Sequence, residues 1–152
     1  MKLSTKGKYG LRAMIDLARY SEKEPVSIGS VAARQGISER YLEQLVALLK
    51  KAGLVATKTG NDGGYHLLCD PGEVTLDQVA DALDVRFVEP AWHSGSGVDC
   101  GCLVASCMAG VMDGLFDDLD RRCRERLTQL TLSDLEKQLE QAAEGKKMTH
   151  GL

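Results

Sequence analysis

A chain of 152 residues, 43% hydrophobic and 27% charged, is long enough to bury a core without disulfide staples and too apolar for wholesale disorder. Its longest stretch free of charged residues, 100–112, is shorter than the roughly 20 residues that a membrane-spanning helix needs. The opening MKLSTKGKYG has no apolar h-region, so a soluble cytoplasmic protein with no membrane partner is expected.

The net charge of −3 conceals a split: residues 1–68 hold eleven Lys/Arg against six Asp/Glu, and the remainder holds eight against sixteen. The front half therefore suits a polyanion and the back half does not. Leu11, Met14, Ile15 and Ala18 follow the i, i+3, i+4, i+7 spacing of a buried stripe and predict an amphipathic helix over 6–20. Glu24-Pro25 breaks the chain; Ser27 then caps a short helix with Ile28, Val31 and Ala32 inward, ended by Gly36. Ser38 caps a third helix, with Leu42, Leu45, Val46 and Leu49 inward and Gly53 at its end. Two short helices joined by a tight glycine-containing turn form a helix-turn-helix. Residues 54–58 and 65–68 then read as strands around the turn TGNDGG, a hairpin that serves as a wing.

Projected at about 100° per residue, the third helix presents Arg40, Gln44, Ala47 and Lys51 outward, flanked by Tyr41 and Glu43. Arg pairs with guanine O6/N7, Gln with adenine N6/N7, and Glu accepts from cytosine N4. The first turns of a recognition helix are the part that reaches base edges. The DNA-binding candidates are Ser38, Arg40, Tyr41, Glu43, Gln44 and Lys51 on or capping that helix, and Lys58, Thr59 and Gly60 on the wing. A lone polar helix face is ordinarily just solvated, and Tyr41 suits a core position equally. The complete series of helix-turn-helix, glycine-rich wing and local positive charge favours double-stranded DNA.

Pro71-Gly72 marks the joint between the halves, and Thr75 with Gln78 forms a capping-box pattern before Leu76, Val79, Ala80 and Leu83. Residues 90–102 are loop-like in composition. Helical periodicity resumes from Leu103 to Leu127, where Met108, Val111, Met112, Leu115, Phe116 and Leu119 make a stripe too wide for one small domain to cover. Arg121, Arg122, Arg124 and Arg126 resemble a nucleic-acid patch. Asp117/Arg121, Asp118/Arg122 and Asp120/Arg124 nevertheless stand at i, i+4, which favours ion pairing along the helix. A last helix is expected from Ser133 to Glu144, with a frayed tail. The expected organisation is mainly α with a small β wing: winged helix-turn-helix region 1–70, bracing helix 71–89, cysteine-containing sensor loop 90–107, dimerisation and C-terminal helices 103–144, and flexible tail 145–152.

Five cysteines are present, three of them at 100, 102 and 107. Without an export signal such a cluster points to metal, iron–sulfur or redox chemistry more than to a disulfide framework. Small buried hydrophobes, a zinc site and a reversible disulfide are the other readings of the same residues. Cys69 and Cys123 read as packed or helix-face thiols. A cysteine-dependent redox enzyme is disfavoured, because there is no C-x-x-C and the His residues at 66, 93 and 150 lack a paired carboxylate motif. An iron–sulfur carrier would leave the winged helix without a use.

The segments MKLSTKGKYGLRAMIDLA, VSIGSVAARQGISERYLEQLVALLKKAGLV and GNDGGYHLL resemble the IscR-type family of bacterial winged-helix regulators. The resemblance implies a homodimer on a two-fold-related promoter site and, in many members, a [2Fe–2S] cluster held by three cysteines, with iron–sulfur assembly proteins as further partners. Here it implies a regulator, not an enzyme, whose DNA affinity is set by an iron–sulfur cluster on Cys100, Cys102 and Cys107. Departures are visible. A wing position that is Arg in some members is Thr59, with Lys58 beside it as a partial substitute. The cysteines are more closely spaced, as C-x-C-x₄-C, and Gly110 stands where some members have a His. His93 lies near the family's first cysteine, so two ligand sets follow: His93 with two or three of the cysteines, or three cysteines with an outside ligand. A cluster-free regulator sensing through thiols, zinc or a protein partner is the alternative.

Overall fold

Five helices begin where a hydroxyl can take an orphan amide, the last of them behind Thr131, which accepts from the Asp134 amide at 3.2 Å. The side chains of Ser4, Ser27, Ser38 and Thr75 accept from the amides of Gly7, Ser30, Tyr41 and Gln78 at 3.1, 3.2, 3.4 and 3.2 Å, a contact worth about 1 kcal/mol at each N-cap. The computed structural model describes residues 4–87 and 103–149. Along them run α1 (Thr5–Tyr20), α2 (Ile28–Gln35), α3 (Glu39–Lys51), β1 (Val55–Lys58), β2 (Gly64–Leu67), α4 (Leu76–Ala82), α5 (Leu103–Leu127) and α6 (Leu132–Thr149). The fold is mainly α with a small β wing.

Gly36 ends α2 at φ 63°, where a Cβ would be strained. The amide of Ile37 bonds the Ala32 carbonyl at 3.2 Å, so the turn into α3 is tight. α3 buries Leu42, Leu45, Val46 and Leu49, the stripe expected. On α1 the buried apolar face is Ala13, Met14, Leu17 and Ala18, so Met14 and Ala18 of the expected stripe are inward while Leu11 and Ile15 are only half-buried at its edge. The small residues set this rotation: a Cβ on Gly10 would lie 2.1 Å from a Leu83 methyl, so α1 and α4 meet at closest approach there.

β1 and β2 pair antiparallel from Val55↔Leu67 to Lys58↔Gly64. Val26 extends the hairpin, exchanging both backbone bonds with Tyr65 at 2.9 and 2.8 Å. A Cβ on Gly64 would sit 2.7 Å from the Val26 carbonyl, which is why the wing docks here through a glycine.

The capping box of α4 is complete in both directions, and Leu76, Val79, Ala80 and Leu83 are buried. The chain returns to the core at Leu132, which is fully buried, through the bridge Thr75↔Thr131. α5 is moored mainly by polar contacts: Arg86–Asp117 at 3.2 Å, Arg124–Asp77 at 3.2 Å, and the Phe87 amide donating to Asp120 at 2.9 Å. The arginine run pairs mostly along the helix, as Arg122–Asp118 at 2.9 Å and Arg124–Asp120 at 3.4 Å. Arg121, however, takes Asp118 and Glu125 in place of Asp117, which turns to Arg86. These arginines hold the Asp118 carboxyl below its ordinary range, Arg121 contributing most. α6 continues to Thr149, past the expected end at Glu144.

Candidate nucleic-acid interface

Burial of one side of α3 determines what the other side offers. Arg40, Glu43, Gln44, Ala47 and Lys51 are all exposed, in a row whose members repeat at helical spacing. Ser38 is exposed ahead of them and already accepts from the Tyr41 amide. Tyr41 is half-buried: its ring meets Tyr9 edge-on, with centroids 6.0 Å apart. On the wing Lys58, Thr59 and Gly60 are exposed, and Gly60 takes φ 116°. The outer face of α3 is thus a set of exposed, mostly hydrogen-bonding side chains on a helix whose opposite side is locked in the core.

Cys107 lies on the second turn of α5, as a free and exposed thiol; the helix spans Leu103–Leu127 as its periodicity predicted, so the 103–107 part of the expected sensor loop 90–107 is helical. Cys100, Cys102 and His93 lie outside the described residues. Among the described residues no three His, Cys, Asp or Glu side chains converge as a metal site. Cys123 is half-buried on α5, whereas Cys69 is exposed on the segment after β2 and is neither packed nor helical. No described helix is long and apolar enough to cross a membrane.

One group was missed from the sequence. Asp16 is 1% exposed on α1. Its carboxylate receives Arg34 through Nε and Nη2 at 3.0 and 2.6 Å, and Gln35 through Nε2 at 2.7 Å. That hydrogen bond, more than Coulomb attraction, raises the already high Arg34 pKa. A carboxylate between Ile15 and Leu17, on the inward side of α1, was the available signal, since buried acids are nearly always paired.

Comparison with known proteins agrees with this architecture. The chain is 40% identical over 139 residues to the HTH-type transcriptional regulator IscR of Vibrio vulnificus, spanning 89% of this chain and 77% of that protein. The family described as "Rrf2: Iron-dependent Transcriptional regulator" matches residues 3–138. This chain belongs to the Rrf2 family. Two solved relatives show how closely its fold follows. IscR of T. potens has 36% identity and a TM-score of 0.71 over 93% of this chain and 90% of that one. CymR (YrzC), the global cysteine regulator of B. subtilis, has 35% identity and a TM-score of 0.64 over 89% and 95%. The named relatives in the Rrf2 family are helix-turn-helix transcriptional regulators, not enzymes, and this chain is a DNA-binding regulator of that kind.

Proposed function

We propose that this protein is a cytoplasmic, homodimeric transcription regulator that reads double-stranded DNA with α3 and the wing, and whose operator affinity is set by an iron–sulfur cluster on the Cys100–Cys107 segment. The observation that carries the reading is the exposed row on α3. Arg40 and Gln44 would contact base edges, with Glu43 and Tyr41 beside them. Ser38, Lys51, Lys58, Thr59 and Gly60 would lie along the backbone, where contacts position the protein without reading sequence.

The dimer reading rests on α5. Met108, Val111, Leu115 and Leu119 are 48, 72, 50 and 41% exposed and repeat on one side of the helix. A second copy covers such a stripe and brings two recognition helices to half-sites about one DNA turn, roughly 34 Å, apart. The donor set suits an iron–sulfur cluster, since thiolates are the usual ligands and Cys107 is a free, exposed thiol. Cys100, Cys102 and Cys107 would supply three ligands, with His93 or an outside group as the fourth. A [2Fe–2S] cluster, when bound, supplies a redox-sensitive charge at the start of α5. The chain's own part is to fix the α5 pair that separates the recognition helices, and an effector shifts that arrangement only by its differential affinity for the two states. Iron–sulfur assembly proteins would be the suppliers. A thiol-sensing regulator without a cluster is the second reading, favoured by the likeness to CymR and by the free Cys107 thiol.

The test is colour and binding together. Anaerobically purified protein should absorb in the visible. Ala at Cys102 or Cys107 should abolish that absorbance, and Ala at Cys69 or Cys123 should not. Arg40→Glu or Gln44→Ala should relax base preference by about 1–3 kcal/mol. A colourless protein that binds zinc stoichiometrically after attempted reconstitution would overturn the iron–sulfur reading and leave zinc or thiol control. Full discrimination retained in both α3 variants would remove α3 as the reader.

A further inference from the structure

α1 carries a second stripe beside its apolar one. Tyr9, Arg12, Asp16 and Tyr20 follow at steps of three, four and four, which keeps them on one side of the helix. Together they grip both helices of the helix-turn-helix. The Tyr9 ring meets Tyr41, in the first turn of α3, at an interplanar angle of 78°. The Arg12 guanidinium lies 5.5 Å from the Tyr9 centroid. Its Nε donates to Gln35 Oε1 at 3.1 Å, and its Nη2 donates to the Gln35 carbonyl, one of those that a helix C-terminus leaves unpaired. Gln35 donates onward to Asp16, which holds Arg34, and Arg34 lies 4.3 Å from the Tyr20 centroid.

The residues after Gln35 form the turn that aims α3. Gly36 supplies the left-handed conformation but restricts the chain least of all residues, so the direction in which α3 leaves depends on what holds the end of α2. We propose that Arg12 and Gln35 are positioning residues for sequence recognition, fixing the C-terminus of α2 while Tyr9 braces the first turn of α3, so that Arg40 and Gln44 meet base edges at a usable angle. This rests on α3 reading DNA. Hydrogen bonds to bases weaken steeply when misaligned. Phosphate attraction is sequence-independent and tolerates small rotations. Loss of the grip should therefore reduce discrimination and spare non-specific binding.

The experiment uses the full chain and a duplex selected by the wild type from a randomised pool, set against a scrambled duplex of equal length. Arg12→Met and Gln35→Ala alter no core side chain. Each should lower the affinity ratio about tenfold, the scale of one lost bidentate base contact, with scrambled-duplex affinity and salt slope unchanged. Tyr9→Ala should lower the ratio, and Tyr9→Phe, which keeps the ring contacts, should not. Equal weakening on both duplexes with a salt slope reduced by about 0.9 would show Arg12 to be a phosphate contact and overturn the proposal. A second readout needs no DNA: amide exchange at Ile37 and Leu42 should quicken several-fold in Arg12→Met and Gln35→Ala while that of Leu83 stays slow. Unchanged exchange at Ile37 overturns the proposal whatever the binding data show. Arg40→Glu is the control for the underlying reading: if it retains full discrimination, α3 is not the reader, and exchange alone then decides whether Arg12 and Gln35 hold the turn.

Discussion

Cutting the Arg34–Asp16 pair from its two sides should have unequal consequences. The Asp16 side chain is 0% exposed and that of Arg34 is 32% exposed. In Arg34→Met the carboxylate stays buried between α1 and α2 with only the Gln35 amide still bonded to it. Removing one partner of a buried pair costs about 3–5 kcal/mol, and the surviving bond argues for the lower end, about 3 kcal/mol. In Asp16→Ala the guanidinium turns into water, so the loss is of charge-assisted hydrogen bonds alone, about 1.5–2 kcal/mol, the lower part of the range for bonds to a charged group because Arg34 regains solvent. At roughly 2–4 °C per kcal/mol for a chain of this size, melting should fall by about 6–12 °C in the first variant and about 3–8 °C in the second. Urea unfolding followed by far-ultraviolet circular dichroism measures both. Protein concentration must be fixed, because the stability of the proposed dimer would depend on it. The double variant should resemble Asp16→Ala, since no buried charge remains. If Asp16→Ala costs as much as Arg34→Met, the pair works by mutual attraction and the argument from an uncovered carboxylate is wrong.

Gly64→Ala should destabilise by about 1–3 kcal/mol through overpacking against the Val26 backbone, and amide exchange at Val26 and Tyr65 should quicken; slow exchange at both would mean that the wing yields without undocking. Replacing Leu115 and Leu119 by Asp should give monomers in sedimentation and weaken operator binding, because carboxylates would be buried unpaired at the seam; an unchanged dimer would move the interface away from α5. Two acids on α6 should act oppositely with pH. Bonds from Thr131 hold Asp134 below the ordinary carboxylate value, so its stabilisation is present above the unfolded pKa and lost as pH falls through the lowered one; Asp134→Asn should flatten that acid limb. Burial, opposed by Arg19 and helped by Glu140 and Glu22, holds Glu136 above the ordinary value, so it is the ionised form that opposes folding. Glu136→Gln should raise stability at neutral pH and leave it unchanged well below the carboxylate range, as parallel thermal melts would show.

Helix starts and stops were readable because their causes are local. Ser27, Ser38 and Thr75 act on an amide three residues away, and Gly36 and Gly53 each take positive φ where a helix ends. The exposed face of α3 was readable for a related reason: Leu42, Leu45, Val46 and Leu49 fix its rotation. The rotation of α1 was less so, because its closest contact is made by Gly10, which no count of apolar residues registers. Asp16 stayed hidden because its partners are 18 and 19 residues away, and no spacing rule along one helix reaches them. The cysteines announce their chemistry by type, but Cys100 and Cys102 lie outside the described residues, and the ligand set follows from spatial arrangement more than from order along the chain.

The moorings of α5 bear on how salt titrations of this protein are to be read. The slope of binding against salt is ordinarily converted into a number of neutralised phosphates. Here Arg86–Asp117 and Arg124–Asp77 tie α5 to the α4 region, and salt shortens the Debye length from about 10 Å at 0.1 M to about 3 Å at 1 M. In the proposed dimer, raising salt should loosen the frame that carries the two recognition helices while it strips the DNA of its attraction. Part of the measured slope would then belong to the protein, and sedimentation across the same salt series separates that part from the phosphates.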